Sequence, residues 1–176
     1  MALNPKERGQ MNNPGRSPSG HSIEEIGEET RRLLCEKLTP EQFHVTQKAG
    51  TEAPFCGGYL ENSGNGTYLC VVCHLPLFGS GDKFDSGTGW PSFFRVFDRE
   101  HVVEKDDSSG GMVRTEICCR RCDAHLGHLF SDGPEPTGLR YCLNSVSLLF
   151  SREGKVIATD APGSEDVFPR AFFGAG

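Results

Sequence analysis

Apolar positions along the chain recur at two periods, and the change from one to the other divides it. In SIEEIGEETRRLLCEKL, residues 22–38, Ile23, Ile26, Leu33, Leu34 and Leu38 fall at helical intervals. Early glutamates and the later Arg31, Arg32 and Lys37 suit a helix dipole, although Gly27 weakens the helix. A second helix is expected from TPEQF. Thr39 can cap it, Pro40 fits its first turn, Gln42 can complete a capping box, and it should end before Gly50. From there to about residue 155 short runs replace the helical spacing: GTYLCVVC, KFDSGTGWPSFF, GMVRTEICC and RYCLNSVSLLF, separated by Gly, Asp, Ser and Pro. The pattern predicts a mainly β fold with short N-terminal helices. SREGK could turn the last strand into a hairpin with VIATD. Residues 161–176 hold Phe168, Phe172 and Phe173 without periodicity. The expected organisation is a disordered polar tail over 1–20, a helical segment over 21–50, a β domain over 51–160 and a C-terminal tail over 161–176.

Composition narrows the function. The 176 residues carry 18 basic and 24 acidic side chains, a net charge of −6, with no basic face, so nucleic acid is not an expected partner. No apolar run approaches the ~18 residues of a membrane span, and the first 20 residues lack the apolar core of a secretory signal. A cytoplasmic, thiol-reducing setting follows, with a monomer expected. Eight cysteines there point to metal binding or redox chemistry rather than a disulfide framework.

Four of them form two C-x-x-C pairs, Cys70/Cys73 and Cys119/Cys122. Four thiolates complete a closed tetrahedral zinc site, structural because it leaves no open position. The alternatives are a disulfide pair, an iron–sulfur cluster or buried free thiols. Cys118 could compete as a ligand.

Strand alternation puts Arg140, Cys142 and Asn144 on one face, continued by Val146, Leu148 and Phe150. An arginine beside a cysteine favours thiolate, the nucleophilic form, although a buried structural cysteine is the commoner fate. His125 and His128 can act as acid and base, bind metal, or simply pack. Trp90, the only tryptophan, sits in a Gly-Pro-rich loop beside Phe93 and Phe94, as a pocket wall or a core anchor. A zinc-ribbon-like binding module would use the same four cysteines without needing Trp90, the histidines and Cys142 together. A metal-dependent hydrolase lacks a third ligand at convincing spacing.

FDSGTGWPSF (84–93), RTE (114–116), CDAHLGHLFSDGP (122–134), GLRYCLNSVSL (138–148) and both C-x-x-C pairs, taken together and in order, resemble the type B methionine sulfoxide reductases. The likeness runs from about Leu38 to Arg152. It implies two small antiparallel sheets, reduction of the R epimer of methionine sulfoxide, and attack by Cys142 on the sulfoxide sulfur to leave a sulfenic acid. It implies that His125, His128, Asp132, Arg140 and Asn144 belong to the active site, and that Trp90, with Phe93, binds substrate. It also implies zinc on Cys70, Cys73, Cys119 and Cys122, and recycling by thioredoxin. One position departs from the pattern: Thr88 stands where many members carry the resolving cysteine. Cys56, followed by a Gly-Gly pair, is the expected resolver, ahead of Cys118 and Cys35.

Overall fold

The computed structural model describes residues 15–153. The hairpin partner VIATD and the C-terminal phenylalanines lie outside them. Two helices, α1 (Glu28–Cys35) and α2 (Pro40–Lys48), precede nine strands: β1 (Gly66–Cys70), β2 (Pro76–Gly79), β3 (Lys83–Phe84), β4 (Ser92–Phe93), β5 (Val102–Asp107), β6 (Arg114–Cys119), β7 (His125–Phe130), β8 (Arg140–Leu143) and β9 (Leu148–Arg152). They form two antiparallel sheets, one of three strands in the order β2-β1-β9 and one of six in the order β3-β4-β8-β7-β6-β5. The expected mainly β, two-sheet architecture is the observed one.

The helix expected over 22–38 is shorter. It begins after Gly27, which offers no side-chain cap. Residues 22–26 are not helical: Ile23 N donates to Gly15 O and Ile26 N to Arg121 O. Ile23 and Ile26 still pack against the core, so their apolar spacing served an irregular segment as well as it would a helix. The α2 expectation matches in detail, with Thr39 and Gln42 forming the reciprocal box and Ala49 closing the helix in the left-handed region at φ 51°. Of the polar tail, residues 15–20 are packed rather than loose. Arg16 bridges Ser22, and buried Ser17 hydrogen-bonds the His101 Nε2 through its hydroxyl at 2.8 Å.

RYCLNSVSLLF is not one strand. It is β8, then a 3-10 turn at Ser145–Ser147, then β9 in the other sheet. The break has a local cause. The Asn144 amide is spent on Glu52 N and Leu126 O, the Glu52 carboxyl accepts the Ser145 and Val146 amides, and the Ser147 hydroxyl donates to His125 O. The alternation expected past Asn144 therefore ends there.

The six-stranded sheet has two unlike faces. Ile117, Cys119, Tyr141, Leu143 and Phe93 are buried, and with Tyr68, Leu77 and Phe78 of the other sheet they make the core. Phe93 stacks on Phe78 at 4.5 Å and meets Tyr68 edge-on at 5.0 Å. Burying such rings supplies about 2–3 kcal/mol each. The opposite face carries Glu116, His128 and Cys142 in register across β6, β7 and β8. α2 packs on β7 and on the Ser145–Ser147 turn.

Candidate active site

Cys142 lies centrally on that face, half-buried. Its backbone neighbours are His128 on β7 and Ser92 on β4. β7 and β8 approach closely because residue 127 is glycine: a Cβ there would stand 2.0 Å from Cys142 O. Cys142, His128, Asn144, Thr51, Arg114 and Phe130 line a cavity of about 110 Å³, and the Trp90 ring closes one side. The Trp90 indole N–H donates to Glu52 O at 3.1 Å.

The charges around Cys142 come in pairs. Arg140 donates from Nε to Asp132 at 2.8 Å and from a second nitrogen at 3.1 Å, and its guanidinium lies 4.3 Å over the Phe130 ring. The Arg140 hydrogen bonds hold the Asp132 carboxyl below its usual range. The positive field expected to make Cys142 a thiolate is present but does not win. Burial, the largest effect, raises the thiol above its ordinary value, and Arg140 and the Thr88 hydroxyl offset only part of that.

Each histidine has a carboxylate behind it. His128 Nε2 stands 2.8 Å from Asp107 Oδ2, and Arg114 donates to the same oxygen at 2.9 Å. Hydrogen bonds from the Ser109 hydroxyl and from His128 hold Asp107 far below the usual carboxylate range. His125 Nδ1 stands 2.6 Å from Glu116 Oε1, and its Nε2 is buried without a partner among the described residues. Burial lowers the His125 pKa, only partly countered by Glu116. The two imidazoles meet edge-on at 5.5 Å.

The residues singled out from the sequence thus separate. Cys142, His128, Asn144 and Trp90 meet at the cavity, Arg140 and Asp132 pair beside it, and His125 sits behind it. Phe93 does not belong to it. Ser92 pairs with Cys142, so the next residue, Phe93, pairs with Tyr141 and points to the core. Cys56 is exposed outside the cavity lining. Glu116, Asp107, Arg114, Phe130, Thr51 and Glu52 were not singled out as site residues. Only the RTE triplet and strand alternation hinted at two of them.

On the core side the four paired cysteines converge. Cys70 and Cys122 sulfurs are 3.6 Å apart, Cys73 and Cys119 3.5 Å, and all four lie within 4.8 Å of one another and are buried. The two knuckles repeat one geometry. Cys70 N donates to Leu75 O and His74 N to Cys70 O; Cys119 N donates to Ala124 O and Asp123 N to Cys119 O. His74 and Asp123 both take φ 61°. A tetrahedron of thiolates with metal–sulfur bonds of about 2.3 Å has edges of about 3.8 Å, which these separations match. Crowding by Cys119, Cys70 and Cys73 raises the Cys122 thiol well above its ordinary value, so four deprotonated sulfurs can share that volume only around a cation. The cluster can hold a metal ion.

Comparison with known proteins agrees with this geometry. The SelR domain family matches residues 38–152. The chain belongs to that family. Its relatives include the peptide methionine sulfoxide reductase MsrB of Xylella fastidiosa strain M23, 54% identical over 72% of this chain and 82% of that protein. The MsrB of Teredinibacter turnerae is 55% identical over 66% and 87%, and that of Acinetobacter baylyi 48% identical over 80% and 96%. The SelR match spans both cysteine knuckles, the cavity and α2, and leaves residues 1–37 outside.

Proposed function

We propose that this chain reduces the R epimer of methionine sulfoxide, in peptides or proteins, to methionine. The observation that carries the reading is Cys142, which lines one small cavity with His128, Asn144 and Trp90 in a SelR-family chain. A volume of about 110 Å³ suits a thioether side chain and leaves the peptide outside. The Trp90 ring offers an apolar wall for the methyl group, and the polar wall faces the S–O dipole.

In the proposed reaction the Cys142 sulfur attacks the sulfoxide sulfur. The oxygen passes to Cys142 as a sulfenic acid and methionine leaves with its sulfur reduced. The His125/His128 pair, backed by Glu116 and Asp107, manages the proton required at the departing oxygen. Because burial keeps Cys142 a thiol at rest, its proton must leave as substrate binds, and Arg140 favours that loss. A second thiol then attacks the sulfenic sulfur, water leaves, and a disulfide forms for reduction by thioredoxin in a reducing, cytoplasmic setting.

Cys56 is the proposed second thiol. It is exposed, whereas Cys118 is buried and its thiol is pushed up to about 12 by burial. Cys118 on β6 also lies two strands from Cys142 on β8, roughly 9–10 Å or more, beyond the ~6.8 Å Cα reach of a disulfide. Cys35 is half-buried at the end of α1. The residues on either side of Cys56 touch segments next to Thr88 and to the end of β8: Phe55 N donates to Gly89 O, and a Cβ on Gly57 would strike the Ser145 hydroxyl. Zinc is the proposed ion of the four-cysteine cluster, where it would hold the two knuckles together and stay outside the reaction.

The test is methionine release from R- and S-configured sulfoxide peptides with a dithiol, followed by mass mapping of the disulfide. Reduction confined to the R peptide, lost in Cys142→Ser, supports the reading. Residual single-turnover reduction in Cys142→Ser would sink the nucleophile assignment. Cys56→Ser should release one methionine per chain and then stall with thioredoxin; undiminished turnover would remove Cys56 from the resolving role.

A further inference from the structure

We infer that Glu52 is the positioning residue that sets Trp90 against the end of the Cys142 strand. The inference rests on the cavity being the sulfoxide site. Glu52 is buried, outside any helix or strand, and absent from the cavity lining, yet its N–H and C=O are used on the lining residues Asn144 and Trp90 and its carboxylate on the two residues that follow Asn144. Its Oε1 accepts the Ser145 amide at 2.7 Å and its Oε2 the Val146 amide at 3.0 Å. Its own N–H donates to Asn144 Oδ1 at 2.9 Å. Its carbonyl accepts the Trp90 indole N–H at 3.1 Å. One residue therefore ties the tryptophan wall to the three residues that follow β8, while touching neither Cys142 nor the space for substrate.

A carboxyl is the group this position requires. Two successive amides open the Ser145–Ser147 turn, where a 3-10 segment has no internal acceptors for them. Two oxygens on one carbon meet both. A glutamine would satisfy one amide and set its NH2 against the other; an alanine would leave both buried and unpaired, a costly outcome. The fit is close on the outer side too. A Cβ on Gly57 would lie 2.6 Å from Glu52 Oε1 and 2.2 Å from the Ser145 hydroxyl, so residues 52–57 fold tightly back over the clamp. The neighbouring Thr51 lines the cavity directly. Loosening the side chain frees residues 51–57 and, with them, the carbonyl that fixes the indole.

Glu52→Gln, purified with its metal content and circular dichroism unchanged, separates positioning from mere stabilisation. KM for an R-sulfoxide peptide should rise about tenfold, the worth of one strong hydrogen bond, while the rate of first methionine release at saturation falls less. Trp90 is the only tryptophan, so its emission should move to longer wavelength as the indole loses its acceptor and meets water. A lowered melting temperature with KM and emission both unchanged would overturn the inference. Hydrogen exchange of the wild-type chain supplies an arm that needs no variant: the Ser145 and Val146 amides should exchange as slowly as those of β8. Fast exchange there would also overturn it. Should the wild type fail to reduce the sulfoxide peptide, the functional reading falls, while emission and exchange still decide the clamp.

Discussion

Cys142 is governed by two opposed effects, of which burial is the larger. Desolvation raises its pKa, and the Arg140 guanidinium, itself tied to Asp132, lowers it. Removing the arginine therefore leaves only the Thr88 hydroxyl opposing burial and raises the thiol further. Arg140→Met should slow alkylation of Cys142 at pH 8 several-fold, read by mass mapping, with the alkylation profile displaced to higher pH. An unchanged profile would show that Asp132 already cancels the arginine's field. Phe93 is a second case in which one position decides everything. Ser92 faces the thiol and Phe93 faces the core because side chains alternate along β4. Phe93→Ala should cost about 3–5 kcal/mol of stability in a urea melt, the range for emptying a buried aromatic site. The aromatic character of that loop was legible in the sequence; its facing was not, because a two-residue strand has no period to read until it is paired.

Elements were legible where their ends carry chemistry. α2 could be placed to the residue from Thr39, Pro40 and Gln42, since a capping box satisfies named backbone groups locally. Thr39→Ala should lower stability by about 1 kcal/mol, seen as a reduced thermal midpoint, because the Gln42 N–H loses the Thr39 hydroxyl that caps it. α1 was read too long because Ile23 and Ile26 pack without being helical. β8 and β9 were read as one strand because nothing within RYCLNSVSLLF announces a turn. The agent is Glu52, more than 90 residues earlier in the chain, whose carboxyl takes the amides that a continuous strand would have paired.

At the scale of the whole molecule the four cysteines join segments from both sheets: Cys70 ends β1 and Cys119 ends β6. On the proposal that the cluster holds zinc, a strong chelator under reducing conditions should abolish the cooperative melt and release one equivalent of the ion by colorimetric titration; a melt unaffected by chelation would show the cluster to be dispensable. Stability should also fall as the pH drops below about 6.5. His101 and His125 both have lowered folded-state pKa values, with burial as the chief cause. Their contribution is therefore full above the unfolded value of about 6.5 and is lost as pH falls from there through the folded-state values. Urea midpoints across that range should decline, and His101→Gln should flatten the decline. The sequence by itself determined the mainly β class, the cysteine knuckles, the capped helix and family membership, because those depend on residue type at short, fixed spacings. Only the tertiary structure decided which face of each strand meets the cavity, which carboxylate stands behind each histidine, and where β8 ends. Those depend on strand register and on contacts between residues far apart in the chain, which no local pattern encodes.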